Sequence, residues 1–330
     1  GVIRMSDRSA PDGMKLELST RSLSRLAGTP IAGPAAYVGV FTGDAQNWKL
    51  DGSASLLGAD IASYRATRIS GPLNVAVNNG RMDVDGDIRA TGGSGQGIIG
   101  GLLGATPRVQ MEASRLPDGA FLLRRIDARG QALTLTGSGQ RNLTARPGAP
   151  WVMTFDGRGK RLVTGMAEVD RLLGQTPRLQ LAGSFNDGRI AIDRGELTGA
   201  QARAGAKGLI ETGGRLRLAL DWNAQGPFAA GPVEIVGNMS GDGALTGTLA
   251  QPRADLRARF DRIDVAALQL TQADLVLSFR RGADSSDGRV ALTSASNYGP
   301  ARASGNFFLG GDRIRLSDVD LDAGGITAQG

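Results

Sequence analysis

In its 330 residues the chain has no cysteine and no histidine, which excludes disulfides, thiolate and Cys–His or Ser–His–Asp catalysis, and nearly all zinc chemistry. Fifty glycines against 5% aromatic residues is unusual for a packed globule, while a hydrophobic fraction of 41% argues against disorder. The net charge of +6 is carried almost wholly by scattered arginine, lysine occurring only at Lys15, Lys49, Lys160 and Lys207; without basic blocks it reads as solubilising, edge-protecting charge and not as a nucleic-acid footprint.

Glycine every several residues, with Asn and Asp beside it, predicts short strands joined by turns. Ser22–Ala27, halted by Gly28 and Pro30, reads as a short helix. Asp83, Asp85 and Asp87 alternate on one strand face and read as solvated, as do Asp318, Asp320 and Asp322; neither run has a calcium-loop pattern. Gly92–Gly97 lacks the Gly-Lys-Ser/Thr ending of a phosphate loop and reads as a flexible turn. Leu102-Leu103-Gly104-Ala105-Thr106-Pro107-Arg108-Val109-Gln110-Met111 then returns as Leu172-Leu173-Gly174-Gln175-Thr176-Pro177-Arg178-Leu179-Gln180-Leu181, 172 − 102 = 70 positions later. A helix is predicted over Met166–Leu173, and a weaker one over Gly97–Leu103; both read as plugs or caps on a sheet edge. Asn79-Gly80, Asp85-Gly86, Asp118-Gly119, Asp156-Gly157, Asp187-Gly188, Asp242-Gly243 and Asp287-Gly288 are hairpin-turn signals. Pro147–Pro150, and Gly226-Pro227-Phe228 with Gly231-Pro232, read as kinks between repeats.

Period-two alternation puts Leu216, Leu218, Leu220 and Trp222 on one face, and does the same for Leu256 and Phe260, for Leu275, Leu277 and Phe279, and for Ile314 and Leu316. No long amphipathic helix exists to cover these faces, and serial copies of one hairpin unit favour an all-β, elongated, curled, mainly antiparallel repeat sheet with a few short helices. The whole of 1–330 reads as one continuous repeat region, with copies at about 98–142 and 166–211 and a last unit at about 245–330. With few large rings inward, the sheet would leave an apolar trough, and those eleven side chains are its expected lining. Acyl chains match such a trough in chemistry and shape. The alternative is that the face is simply core, as in any sandwich.

The run Leu245-Thr246-Gly247-Thr248-Leu249-Ala250-Gln251-Pro252-Arg253-Ala254 resembles the recurring G-T-L-x-x-P element of TamB-like translocation and assembly module proteins, within the AsmA-like group. The Leu-Leu-Gly-x-Thr-Pro-Arg segments and the tail Ile314–Gly324 share the likeness, which is more secure from about Leu102 onward. The resemblance implies a large bacterial envelope protein with an inner-membrane anchor, a long periplasmic curled sheet with an apolar groove, and an outer-membrane barrel partner, linked to phospholipid movement and outer-membrane protein assembly. This chain would be an internal periplasmic segment, its anchor and barrel-binding end lying elsewhere.

No activated nucleophile or metal set is present, so a non-enzymatic, cofactor-free role is expected. Three remain open: a segment that shields phospholipid acyl chains in transit, a scaffold for outer-membrane proteins that acts by strand addition, and an adhesin-like β-solenoid. No run approaches the ~18 apolar residues of a membrane span.

Overall fold

The computed structural model describes residues 10–21, 33–61, 64–95, 97–143, 148–160, 167–230, 233–282, 285–310 and 313–330, and it is all-β and antiparallel. Its contacts form two units, Gly1–Thr164 and Gly165–Gly330, with one copy of the sequence repeat in each. The helix expected over Ser22–Ala27 lies outside the described residues.

In the first unit the strands are β1 (Ala10–Thr20), β2 (Ala35–Gly43), β3 (Asn47–Ile61), β4 (Tyr64–Asn78), β5 (Arg81–Thr91), β6 (Ser94–Gly95), β7 (Arg108–Arg115), β8 (Ala120–Arg129), β9 (Leu133–Asn142) and β10 (Trp151–Gly159). Each pairs with the next, except that β5 pairs with β7 while β6 joins the start of β4. The second unit holds β11 (Arg178–Asn186), β12 (Arg189–Thr198), β13 (Ala202–Ile210), β14 (Leu216–Gln225), β15 (Phe228–Ala230), β16 (Val233–Gly247), β17 (Pro252–Val265), β18 (Leu268–Arg281), β19 (Ser285–Ser296), β20 (Gly299–Gly310), β21 (Arg313–Ala323) and β22 (Ile326–Gln329), again paired in series, with β14 on β16 and β15 beside it. Within each unit no pairing joins the first strand to the last among the described residues, so the 22-stranded sheet closes on itself in neither.

Two helices, α1 (Gly97–Leu103) and α2 (Ala167–Leu173), open the two repeat copies. Both end on a left-handed glycine, Gly104 and Gly174, each at φ 69°. The amide of Gly104 donates to Gly100 over 2.8 Å and that of Gly174 to Asp170 over 2.9 Å, the αL cap. The next orphan carbonyls, Leu102 and Leu103, accept from Ala132 and Gln131; Leu172 and Leu173 accept from Gln201 and Ala200, all four at 3.0 Å. That close approach needs glycine in the hairpin turn: a Cβ on Gly130 would fall 2.3 Å from the Leu102 oxygen, and one on Gly199 2.5 Å from the Leu173 Cα. The repeated Leu-Leu-Gly-x-Thr-Pro-Arg is therefore a helix end, a chain reversal and a buried proline, Pro107 or Pro177, that feeds the next strand.

Asn79-Gly80 (φ 46° and 80°) and Asp187-Gly188 (48° and 78°) form the expected two-residue turns with both residues left-handed, and Asp118-Gly119 sits in the loop between β7 and β8. The other four expected turns are corrected: Asp85-Gly86, Asp156-Gly157, Asp242-Gly243 and Asp287-Gly288 lie inside β5, β10, β16 and β19, and none of their glycines has a positive φ. There the aspartate points outward and the glycine makes room on the apolar face. A Cβ at Gly243 would meet Leu256 at 2.7 Å, and one at Gly288 would meet Phe307 at 2.6 Å.

A single layer can bury side chains only by bending over its own face, and in each unit it does so at the helix end. In the first unit Leu56, Ala59, Tyr64, Ala66 and Ala90 form a buried cluster against which Leu103 of α1 packs. In the second, a larger cluster around Ala224, Phe228, Phe260, Ile263, Leu270 and Ala273 receives Leu172 of α2. The helices are thus plugs on the apolar face itself.

Candidate functional site

The alternation expected in the second unit is present. The register aligns Leu220, Gly243, Leu256, Leu277 and Val290 in one row across β14–β19, and Leu218, Leu245, Ala254, Phe279, Gly288 and Phe307 in the next. Trp222, Gly241, Ala258, Leu275 and Leu292 form a third. Large side chains lie across the glycines beside them: a Cβ on Gly241 would fall 2.2 Å from the Trp222 ring. Phe279 and Phe307 stack with centroids 6.5 Å apart. Leu216 (3% exposed) and Phe260 (8%) are packed into core, while Leu316 is 62% exposed on β21. The side chain of Ile314 lies outside the described residues. The structure thus brings nine of the eleven expected lining residues onto β14, β17 and β18, where paired glycines and rings fill much of the volume that few aromatics were expected to leave open.

An open, mostly apolar-walled site lies in the first unit. A cleft of about 580 Å³ runs across β1 to β5, walled by Leu18, Tyr37, Ala54, Leu56, Ile69, Leu73 and Ile88. Register explains why it is unfilled: Leu18 faces Tyr37 and Tyr37 faces Ala54, so a small side chain stands between the larger walls. Tyr37 reaches across Gly39 and Gly52 to donate its hydroxyl to the Leu73 carbonyl over 3.0 Å. Burial, with Asp51 adding to it, pushes that hydroxyl above the usual tyrosine value and keeps it a donor. One end of the cleft is stopped by the cluster under α1, which shares Leu56 and Ile69 with the wall. Leu18, at the lip, is 53% exposed. Sequence reading missed this cleft because its signal is negative: Ala54 stands between large apolar walls where a larger side chain would close it.

The opposite face of the same unit is ionic. Asp83 and Asp87 lie on the solvated face expected of them, part-exposed and ion-paired. Asp83 accepts from Ser114 at 2.5 Å, and from Arg81 and Arg124, while Asp87 accepts from Arg108 and Gln110. The Ser114 hydrogen bond and then Arg81 hold Asp83 below the ordinary carboxylate range; Arg108 does so for Asp87. Asp127, 5% exposed, is lowered chiefly by Arg129 and also by Arg125. Among the described residues no group of three acidic, His or Cys side chains is placed to hold a metal. Nor is any described helix long and apolar enough to cross a membrane.

No protein-family model matches the chain, and no curated protein matches it either.

Proposed function

We propose that the chain is a non-enzymatic segment of an envelope protein that shields phospholipid acyl chains on an apolar sheet face as they pass between the inner and outer membranes, working in the periplasm. The likeness to TamB-like proteins supports that setting, with an outer-membrane barrel protein as partner. The observation that carries the reading is the cleft of the first unit, apolar-walled yet open at Leu18. Covering ten methylenes at ~0.8 kcal/mol each would hold a chain by about 8 kcal/mol if all were enclosed, and an open cleft covers roughly half of that. About 4 kcal/mol corresponds to millimolar holding, enough to shelter a tail and weak enough to let it slide.

Native mass spectrometry of the purified chain tests this. Wild type is expected to carry phospholipid-mass adducts that Ala54→Leu, which fills the cleft, loses; a bare wild type overturns the reading. A scaffold acting by strand addition has one observation in its favour. β22 pairs only with Asp320–Ala323, so the outer edge of β21 from Arg313 to Asp318 has no strand beside it among the described residues. Crosslinks from Ser317 to unfolded barrel proteins, with none to lipid from Leu18, would favour that role.

A further inference from the structure

The last row of the first unit's apolar face, at the end away from α1, is not wholly apolar. The register sets Met82 opposite Arg115, Arg115 opposite Phe121, and Phe121 opposite Arg141, so two guanidinium groups stand on the face that one pair further in carries Val84, Ala113 and Leu123. The Arg115 guanidinium lies 6.0 Å from the Phe121 ring centroid, and no described ion pair includes it. Trp151, at the start of β10, stands 6.2 Å from Phe121. Arg141 donates its Nε to the Ala149 carbonyl over 2.6 Å, which fixes the plane of its guanidinium. Arg115 and Arg141 are two strands apart, roughly 9–10 Å between Cα atoms, so both long side chains can reach one anion above Phe121.

The second repeat copy shows that the frame does not need these charges. At the matching register positions it has Phe185, Ile190 and Ile210, which face one another as Arg115, Phe121 and Arg141 do (185 − 115 = 70; 190 − 121 = 69; 210 − 141 = 69). Solubilising arginines elsewhere alternate onto the exposed face, as Arg215 and Arg217 do beside Leu216. A pair on the apolar face, interleaved with a phenylalanine and a tryptophan, has a different chemistry: cations for an anion, and rings for the carbon behind it.

We propose that Arg115, Phe121, Arg141 and Trp151 form an anion-binding mouth that takes a phosphate group at the end of the apolar face. This deepens the acyl-chain reading and rests on it for the source of the phosphate: the headgroup of an amphiphile whose tails lie inward on the face.

The test uses the full chain and the double variant Arg115→Phe/Arg141→Ile, which writes the second copy's side chains into the first. Arg253→Gln/Arg257→Gln, at exposed positions of β17, controls for lost charge. Matched thermal midpoints establish folding. Capture is measured from dodecyl-maltoside micelles doped with phosphatidylglycerol or with diacylglycerol of the same tails, with and without inorganic phosphate. Wild type and control should take phosphatidylglycerol about tenfold better than diacylglycerol, and the double variant should lose that preference while still taking diacylglycerol. An unchanged preference in the double variant overturns the mouth. If wild type takes neither lipid yet binds inorganic phosphate through these arginines, the phosphate site stands with a free anion as its source and the acyl-chain reading falls. Binding of neither lipid nor phosphate overturns both.

Discussion

The two repeat copies share a skeleton and differ in what they present. Gly104 and Gly174 close their helices at the same φ, Gly130 and Gly199 admit the same pair of leucine carbonyls, and a bulge follows at Arg124 in one copy and Asp193 in the other. Arg125-Ile126-Asp127 returns as Arg194-Gly195-Glu196, so an ion pair also recurs on the polar face. On the apolar face the match ends: Arg115, Phe121 and Arg141 stand where the second copy has Phe185, Ile190 and Ile210. Backbone requirements thus fix glycine, proline and the helix end, while the face is left to function. The two units make the same point on a larger scale, one face being filled by rings over glycines and the other left open over Ala54.

The contrast between filled and open faces predicts the largest difference. Leu277→Asp puts a charge into an interlocked row and should cost about 2–3 kcal/mol, read as a lowered denaturation midpoint. Leu18→Asp, at the exposed lip, should change stability by no more than about 0.5 kcal/mol while abolishing lipid capture. Equal losses of stability would erase the distinction between the units. The shared skeleton predicts a smaller, matched pair. Gly130→Ala and Gly199→Ala each force a Cβ onto a helix end, so each should cost about 2 kcal/mol by thermal denaturation. An effect in one copy alone would show that the repeats do not close alike.

The smallest effect is electrostatic. Asp127 and Glu196 are both held below the ordinary carboxylate range, by Arg129 and Arg194 respectively. Their contribution is therefore complete above about pH 4, near the unfolded carboxylate values, and is lost as pH falls through the lowered folded ones. Asp127, 5% exposed beside Glu196 at 23%, should matter more. On acidification toward pH 3 the thermal midpoint of wild type should fall more steeply than that of Asp127→Asn, and Glu196→Gln should narrow the slope by less.

Much of the fold was legible because alternation is a local signal: Leu216 to Trp222 and Leu275 to Phe279 declare their face without reference to any neighbour. The repeat was legible for the same reason, since a helix end and its capping glycine lie within a few residues of each other. Asp-Gly was not a safe turn signal, because glycine serves two ends. At Gly188 it supplies a left-handed φ, and at Gly243 it supplies room for Leu256, a residue that only cross-strand register brings near. The cleft was hidden likewise. Ala54 marks a space only once β2 and β3 are paired beneath Leu18 and Tyr37, and the arginine row becomes visible only when β7, β8 and β9 stand side by side.

Acyl chains are proposed to lie on the inner face of the first unit. Leu18 on β1 and Val38 on β2 offer a matched pair, 53% and 57% exposed on adjacent strands but on opposite faces. With a photo-crosslinking residue at each position in turn, irradiation in cells should give a phospholipid adduct from position 18 and none from position 38. Adducts of equal yield from both, or from neither, would contradict it.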